Sequence, residues 1–335
     1  MVYVHVPFCR SFCTYCDFYS QTVCRGRDAD VFGKYTDDVC LEAKLRKPEI
    51  EETLALNTLY IGGGTPSVLP LSCLSRIVDA VGCGPYREFT VEVNPEDIVE
   101  KGLPYVAGLL ELGVNRVSMG VQSLDNGILR WMNRRHDADG ARKAYSLLRE
   151  AGVPNISVDV ISGLSHLDDK VLESSLKEII SWGPEHISAY QLSIEEGSAL
   201  SGMVENGSYT EADDEKCRRQ YELAGELLSS AGYVHYEISN WAKPGFEAVH
   251  NSAYWRRLPY VGLGPGAHSL KGDNVRSWNS EELSGWTSSG ECLSLEEIRE
   301  EKLMLGLRTL EGVDGMKIPE SDWFVSDSII ACLLS

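Results

Sequence analysis

The chain has 335 residues, 43% of them hydrophobic and 24% charged, an ordinary globular composition with room for one large domain and an appendage. Its 31 basic and 50 acidic residues give a net charge of −19, an average field that repels polyanions, so no nucleic-acid partner is expected. No apolar run approaches the ~18 residues of a membrane span and no leader pattern opens the chain, so no integral membrane segment and a cytoplasmic location are expected.

Val2–Val6 reads as the first strand, and three cysteines follow it at once. Cys9, Cys13 and Cys16 stand in the run Tyr3-Val-His-Val-Pro-Phe-Cys9-Arg-Ser-Phe-Cys13-Thr-Tyr-Cys16-Asp-Phe18, a C-x3-C-x2-C spacing with no fourth cysteine nearby. Three thiolates on one short loop hold three irons of a [4Fe-4S] cube and leave the fourth iron open to a substrate. A carrier of electrons alone takes four cysteines. A structural zinc site remains open at this point, with His5 as the fourth ligand, although no second C-x2-C pair lies downstream. A disulfide framework does not suit a chain of this length without a secretion signal. The other seven cysteines have no ligand spacing and read as small buried hydrophobes.

Further strands are expected at Thr58–Ile61, Phe89–Val93, Arg116–Val121, Ile156–Ile161 and His186–Leu192, with helices near 30–46, 71–82, 100–112, 138–151 and 168–181. That rhythm predicts an α/β fold, a partial (βα)6 barrel with parallel strands and an α+β extension after it. In such folds ligands sit at the carboxyl ends of the strands. The cysteine loop, Gly62-Gly63-Gly64-Thr65-Pro66, Glu92-Val-Asn94-Pro95, Gln122-Ser123, Asp159 and Tyr190-Gln191 all fall toward that rim. After strand six come a helix at 211–231, a strand at Tyr233–Ile238, the segments His250-Asn251-Ser-Ala-Tyr254-Trp255 and Gly262-Leu-Gly264-Pro-Gly266-Ala-His268, and a loop–helix tail at 290–310. The expected division is 1–200 for the core, 201–280 for the extension and 281–335 for a helical tail.

The glycine run lets backbone approach a ligand where any Cβ would intrude, or it is simply a tight turn. Glu92 and Asp159 interrupt apolar strands, and a buried carboxylate needs a partner. A ligand ammonium or ribose hydroxyl would serve; so would an internal ion pair with Arg116 or Arg134. His250, beside two large aromatics, is either structural or an iron ligand for a flat macrocycle, and His268 is a second histidine of that kind.

Taken in order, the cysteine run, Gly62 to Ser67, Asn115-Arg116-Val-Ser-Met-Gly-Val-Gln122, Ser157-Val-Asp159, Ile187-Ser-Ala-Tyr190, Tyr236-Glu-Ile-Ser-Asn240, His250 to Trp255, Gly262 to His268 and Met304-Leu-Gly-Leu-Arg308 resemble the radical S-adenosylmethionine proteins of the anaerobic coproporphyrinogen oxidase-like group, its heme-chaperone branch above all. The resemblance runs from Tyr3 to about Asp314. It implies that Cys9, Cys13 and Cys16 ligate a [4Fe-4S] cluster, and that Tyr3, Gly63, Gly64, Thr65, Glu92, Gln122, Arg134 and Asp159 surround S-adenosylmethionine. It implies reductive cleavage of that cosubstrate to methionine and a 5′-deoxyadenosyl radical, fed by an electron donor such as flavodoxin or ferredoxin. It associates His250 with heme.

Within the group two functions are implied. One is a heme chaperone that binds heme and transfers it to acceptor proteins; the other is an oxygen-independent coproporphyrinogen III oxidase. The oxidases carry a cysteine two residues past the third cluster cysteine, where this chain has Phe18, and an extension before the first strand. Both differences favour the chaperone. The branch continues into a small winged-helix-like end that Pro319–Ser335 does not resemble, so a truncated carboxyl terminus is expected.

Overall fold

Alternation along the strands explains the architecture. Val2, Val4 and Val6 are buried on one face of the first strand while Tyr3 and His5 occupy the other. The same pattern recurs with Leu59 and Ile61 against Thr58 and Tyr60, and with Phe89 and Val91 against Glu88, Thr90 and Glu92. It continues with Val117 and Met119 against Arg116 and Ser118. Parallel strands covered on both faces by helices usually read as continuous apolar runs. Here the apolar face packs under the crossover helices and the polar face lines an internal lumen.

The computed structural model describes every residue except Arg25, Arg27 and Ser335; the last residue of the expected tail therefore lies outside the described residues. The strands in chain order are β1 (Val2–Val6), β2 (Phe8–Cys9), β3 (Gln21–Thr22), β4 (Thr58–Gly63), β5 (Glu88–Val93), β6 (Arg116–Gln122) and β7 (Ile156–Ser162). They continue with β8 (His186–Gln191), β9 (Val234–Glu237), β10 (Asn240–Ala242), β11 (Val261–Leu263), β12 (His268–Lys271), β13 (Val275–Asn279) and β14 (Ser288–Cys292). Nine form one sheet in the order β11-β1-β4-β5-β6-β7-β8-β10-β9, parallel from β11 to β8 and antiparallel at β10 and β9. The six expected parallel strands are all present. β12, β13 and β14 make a separate antiparallel sheet.

Helices Ala29–Leu45, Leu71–Val81, Pro95–Glu111, Ala138–Glu150, Asp169–Trp182 and Asp214–Ser230 connect the strands. Asn94, Asp137, Asp168 and Asp213 each accept a backbone N–H at a helix start, satisfying donors the helix itself leaves open. The third of these helices begins at Pro95, earlier than the expected 100, because Asn94 caps it and Pro95 fits its first turn; Gly102, at φ 64°, then kinks it before Pro104.

The β12–β14 sheet was not expected, its last strand falling within the expected helical tail, and two further features that bear on the site escaped the sequence reading. β11 comes from the start of the glycine-rich segment, where no strand was expected: Val2, Tyr3 and Val4 pair in parallel with Val261, Gly262 and Leu263. Gly262 is required there, since a Cβ would meet the His268 carbonyl oxygen at 2.0 Å. The second is helix Val249–Trp255, which closes the end of the lumen formed by the strands' amino termini. Its first N–H groups, from Val249 and His250, donate to the two carboxylate oxygens of Glu88 at 2.8 Å each. No helix among the described residues is long and apolar enough to cross a membrane.

Candidate functional site

The loop after β1 is held before it is functional. Phe8 is fully buried against Phe32 and Tyr35, with ring centroids 4.9 and 5.1 Å away. Cys9 pairs with Thr22 across β2 and β3, and Val23 N–H donates to the Cys9 carbonyl at 2.9 Å. Further along, Thr14 donates through its N–H to Met132 O at 3.1 Å and through its hydroxyl to Trp131 O at 2.7 Å. Asn133 Nδ2 donates to Phe12 O at 2.6 Å. The cysteine loop is thus tied to the carboxyl end of the short helix Asn126–Trp131 that follows β6.

Cys9, Cys13 and Cys16 open on one cavity of about 500 Å³ at the carboxyl ends of the strands. Gly63, Gly64, Thr65, Glu92, Gln122, Arg134 and Asp159 line the same cavity. Ten of the residues singled out in the sequence therefore share one chamber. Tyr3 does not line it; its ring faces an adjoining cavity, and its hydroxyl pairs with His5 Nδ1 at 2.9 Å. His250 lies elsewhere, fully buried, its Nδ1 on the Thr58 hydroxyl at 2.8 Å and its Nε2 on the Tyr254 hydroxyl at 3.0 Å. Burial lowers its pKa to about 3, so the imidazole is neutral. Its neighbour Asn251 does reach the chamber.

The thiols suit a cluster better than a single ion. No group of three or more His, Cys, Asp or Glu among the described residues converges on one metal position. His5, the residue a Cys3His zinc site would need, has its second nitrogen on the Tyr19 carbonyl at 2.9 Å. A cube takes one thiolate per iron and requires no such convergence. Burial raises the pKa of Cys9, and raises that of Cys16 to about 11, so ligation would release their protons. Arg134 Nη1 lies 3.3 Å from Cys13 Sγ, placing a guanidinium beside the loop.

The chamber walls keep polar groups that the protein does not satisfy. Glu92 accepts from the Tyr60 hydroxyl at 2.7 Å and from Gly63 N–H at 3.1 Å. Burial nonetheless raises its pKa to about 7. Asp159 is held by Ser118 and Ser157 hydroxyls, and burial raises its pKa too. Among the described residues neither carboxylate forms an ion pair with Arg116 or Arg134, so the internal-pair alternative is not the one adopted. Gln122 Oε1 and Arg134 Nε are buried without hydrogen-bond partners. Gln122 has φ 66° at a register shift in β6, a conformation costly for a residue with a Cβ, and this turn brings it to the chamber.

The glycines fit the same picture. A Cβ on Gly64 would meet Phe8 O at 2.8 Å and Cys9 Sγ at 3.0 Å, and one on Gly62 would meet Glu92 Oε1 at 2.9 Å. Backbone comes this close only where side chains are excluded. An unfilled acceptor, an unfilled donor, two buried carboxylates and a three-thiol loop fit an amino-acid-bearing cosubstrate on a cluster. Tyr190 lines the chamber, as its place at the rim led one to expect, while Tyr60, Arg116, Ser118 and Ser188 also line it and were not foreseen as site residues. The available signal was their position: each shares a strand face with Glu92 or Asp159, or with their partners across the sheet.

Residues 3–179 match the family model described as the Radical SAM superfamily. The chain is 34% identical to the protein named heme chaperone HemW of Synechocystis sp., over 99% of this chain and 84% of that one. It is 32% identical to the HemW of Bacillus subtilis (95% and 86%) and 30% identical to the mouse mitochondrial radical S-adenosyl methionine domain-containing protein 1 (93% and 74%). The solved structure of coproporphyrinogen III oxidase (HemN) from Escherichia coli, described as a radical SAM enzyme, superposes with a TM-score of 0.75 at 21% identity, covering 92% of this chain and 75% of that one. At that identity the likeness concerns the fold.

Proposed function

Because the chain belongs to the radical S-adenosylmethionine superfamily, in the group of the HemW-named relatives, we propose that it is a heme chaperone that binds a [4Fe-4S] cluster with S-adenosylmethionine and passes heme to acceptor proteins. The observation that carries this reading is the near-full-length similarity to relatives named heme chaperones, joined to a three-thiol chamber with unfilled polar walls.

In the proposed site Cys9, Cys13 and Cys16 hold the cluster, which together with the cosubstrate supplies one-electron chemistry at a sulfonium. Gly63, Gly64 and Thr65 present backbone and a hydroxyl to the cosubstrate's amino-acid end. Glu92, kept protonated by burial up to about pH 7, ionises against the ligand's ammonium. Arg134 would hold the ligand carboxylate, and Gln122 and Asp159 would take the ribose hydroxyls. Tyr3 supports the chamber from the neighbouring cavity. Phe18 adds a side chain beside the mouth that can ligate no metal. Such a cluster would take its electron from a donor such as flavodoxin or ferredoxin.

Titration of the anaerobically reconstituted full chain with heme tests the function. Saturable one-to-one binding, with no turnover of coproporphyrinogen III, is expected. Absence of stoichiometric binding, or propionate decarboxylation at enzymatic rates, overturns the proposal.

A further inference from the structure

Four arginines line the cysteine chamber, and three of them are committed near its mouth. Arg10 pairs with Asp28, Arg135 pairs with Glu96 and Asp97, and Arg134 donates to Gly120 O at 2.7 Å beside Cys13. Arg116 differs from all three. It is 2% exposed, projects from β6 into the lumen, and among the described residues forms no hydrogen bond and no ion pair. Its Nε is sealed without a partner, and so is the hydroxyl of Thr90, directly across the pairing of β5 and β6. An isolated buried cation is strongly unfavourable, so the charge around it has to hold it.

The strand register shows what that charge is. Glu88, Thr90 and Glu92 alternate onto the lumen face of β5, and Thr90 is the residue paired with Arg116. The cation therefore enters midway between a carboxylate toward the floor and a carboxylate toward the rim. Asp159 joins from β7, in register with Gly120 on the rim side of Arg116. All three carboxylates are held by neutral donors: Glu88 by the Val249 and His250 N–H groups, Glu92 by the Tyr60 hydroxyl and Gly63 N–H, and Asp159 by the Ser118 and Ser157 hydroxyls. Neutral donors leave the negative charges in place, so Arg116 is shared among them. The phenols of Tyr3, Tyr60, Tyr190 and Tyr236 and the imidazoles of His186 and His250 surround these groups, and burial keeps them uncharged. Burial also raises the pKa of Glu92 and of Asp159, and the charge of Arg116 opposes that rise in each.

Resting on the cosubstrate reading above, we propose that Arg116 is a positioning residue for S-adenosylmethionine, a shared counter-charge beneath Glu92 and Asp159 that keeps both ionised for the ligand's ammonium and ribose hydroxyls. It acts through the two carboxylates and not on the ligand. An ionised carboxylate only accepts hydrogen bonds, which is what an ammonium and a ribose hydroxyl require of it. The lack of a partner of its own is what lets Arg116 serve both, because a tight pair with one would leave the other uncompensated.

The test is S-adenosylmethionine binding to the reconstituted full chain, measured by calorimetry from about pH 6 to about pH 8.5, for wild type, Arg116→Gln and Arg116→Lys. Iron and sulfide content checks the cluster in each. Without the cation the carboxylates are harder to ionise, so Arg116→Gln is expected to bind ~10-fold more weakly than wild type at about pH 6.5 and to close most of that gap by about pH 8.5. Arg116→Lys keeps the charge and is expected to stay within ~3-fold of wild type throughout. A folded, cluster-bearing Arg116→Gln protein that loses the same factor at every pH overturns the proposal, as does one that binds like wild type. If Arg116→Gln does not fold, Arg116→Lys decides: the wild-type pH profile supports the proposal, and a pH-independent loss of ~10-fold or more overturns it. A wild type that binds no S-adenosylmethionine overturns the cosubstrate reading itself and is a separate outcome.

Discussion

The two ends of the lumen carry equally dense sequence signals and opposite hydrogen-bond economies. At the cysteine end, Gln122 Oε1 and Arg134 Nε are buried without partners and Glu92 is pushed up to about pH 7. At the floor, Glu88 accepts two N–H groups and His250 and His186 use both ring nitrogens. An unfilled buried polar atom costs about 1–3 kcal/mol, so a fold keeps one where something else fills it. Glu88, His186 and His250 are satisfied as they stand, although Thr90 Oγ1 and Arg116 Nε on the same lumen face are not. The contrast separates a chamber built for a ligand from a plug built for the fold, although both are written in Glu, Asn and aromatic residues.

The sharpest way to break the comparison is Cys13→Ala. It should abolish cluster assembly while leaving the fold, seen as loss of iron, sulfide and visible absorption with an unchanged far-ultraviolet spectrum; retained iron and sulfide would contradict the ligand assignment. At the floor, His250→Ala should cost about 3 kcal/mol of unfolding free energy, because it leaves Thr58 and Tyr254 hydroxyls unpaired and a void beside them. Denaturant melts of the cluster-free chain measure it, and a change under ~0.5 kcal/mol would show that the floor is not a structural plug. Glu92→Ala should weaken S-adenosylmethionine binding by about 2 kcal/mol, or ~30-fold, with cluster content unchanged, measured by calorimetry.

The smallest effect concerns Glu237, which is buried with Oε1 unpartnered and has its pKa raised from 4.5 to about 7 by burial. Below about pH 4.5 both folded and unfolded chains hold this proton, and its contribution to stability is fully present. Between about 4.5 and 7 the unfolded chain releases the proton first, so stability falls as pH rises, and the penalty levels off above about 7. Glu237→Gln should therefore stabilise by about 1 kcal/mol at pH 8 and by nothing at pH 4. A uniform effect across that range would place the loss in packing rather than in charge.

Much of the chamber was legible from sequence because its parts are local. Cys9, Cys13 and Cys16 are fixed by spacing on one loop, and the glycine run, Glu92, Gln122 and Asp159 by their place at strand ends. What stayed hidden depends on partners far along the chain. Tyr60, Ser118 and Arg116 are ordinary strand residues until alternation turns them into the lumen. β11 is too short and glycine-rich to read as a strand, and only its pairing with β1 makes it one. Nor could a periodicity argument tell that the His250 nitrogens would be spoken for by Thr58 and Tyr254.

That pairing has a consequence for how the molecule is made. β1 is synthesised before both of its neighbours and leads into the cysteine loop, yet its Val2 lies between Leu59 on one side and Val261 on the other. Contacts so distant in sequence form slowly and late. A strand made before both of its neighbours is enclosed only after β11 has been synthesised, so one edge of the strand that leads into the three-thiol loop stays unpaired until then.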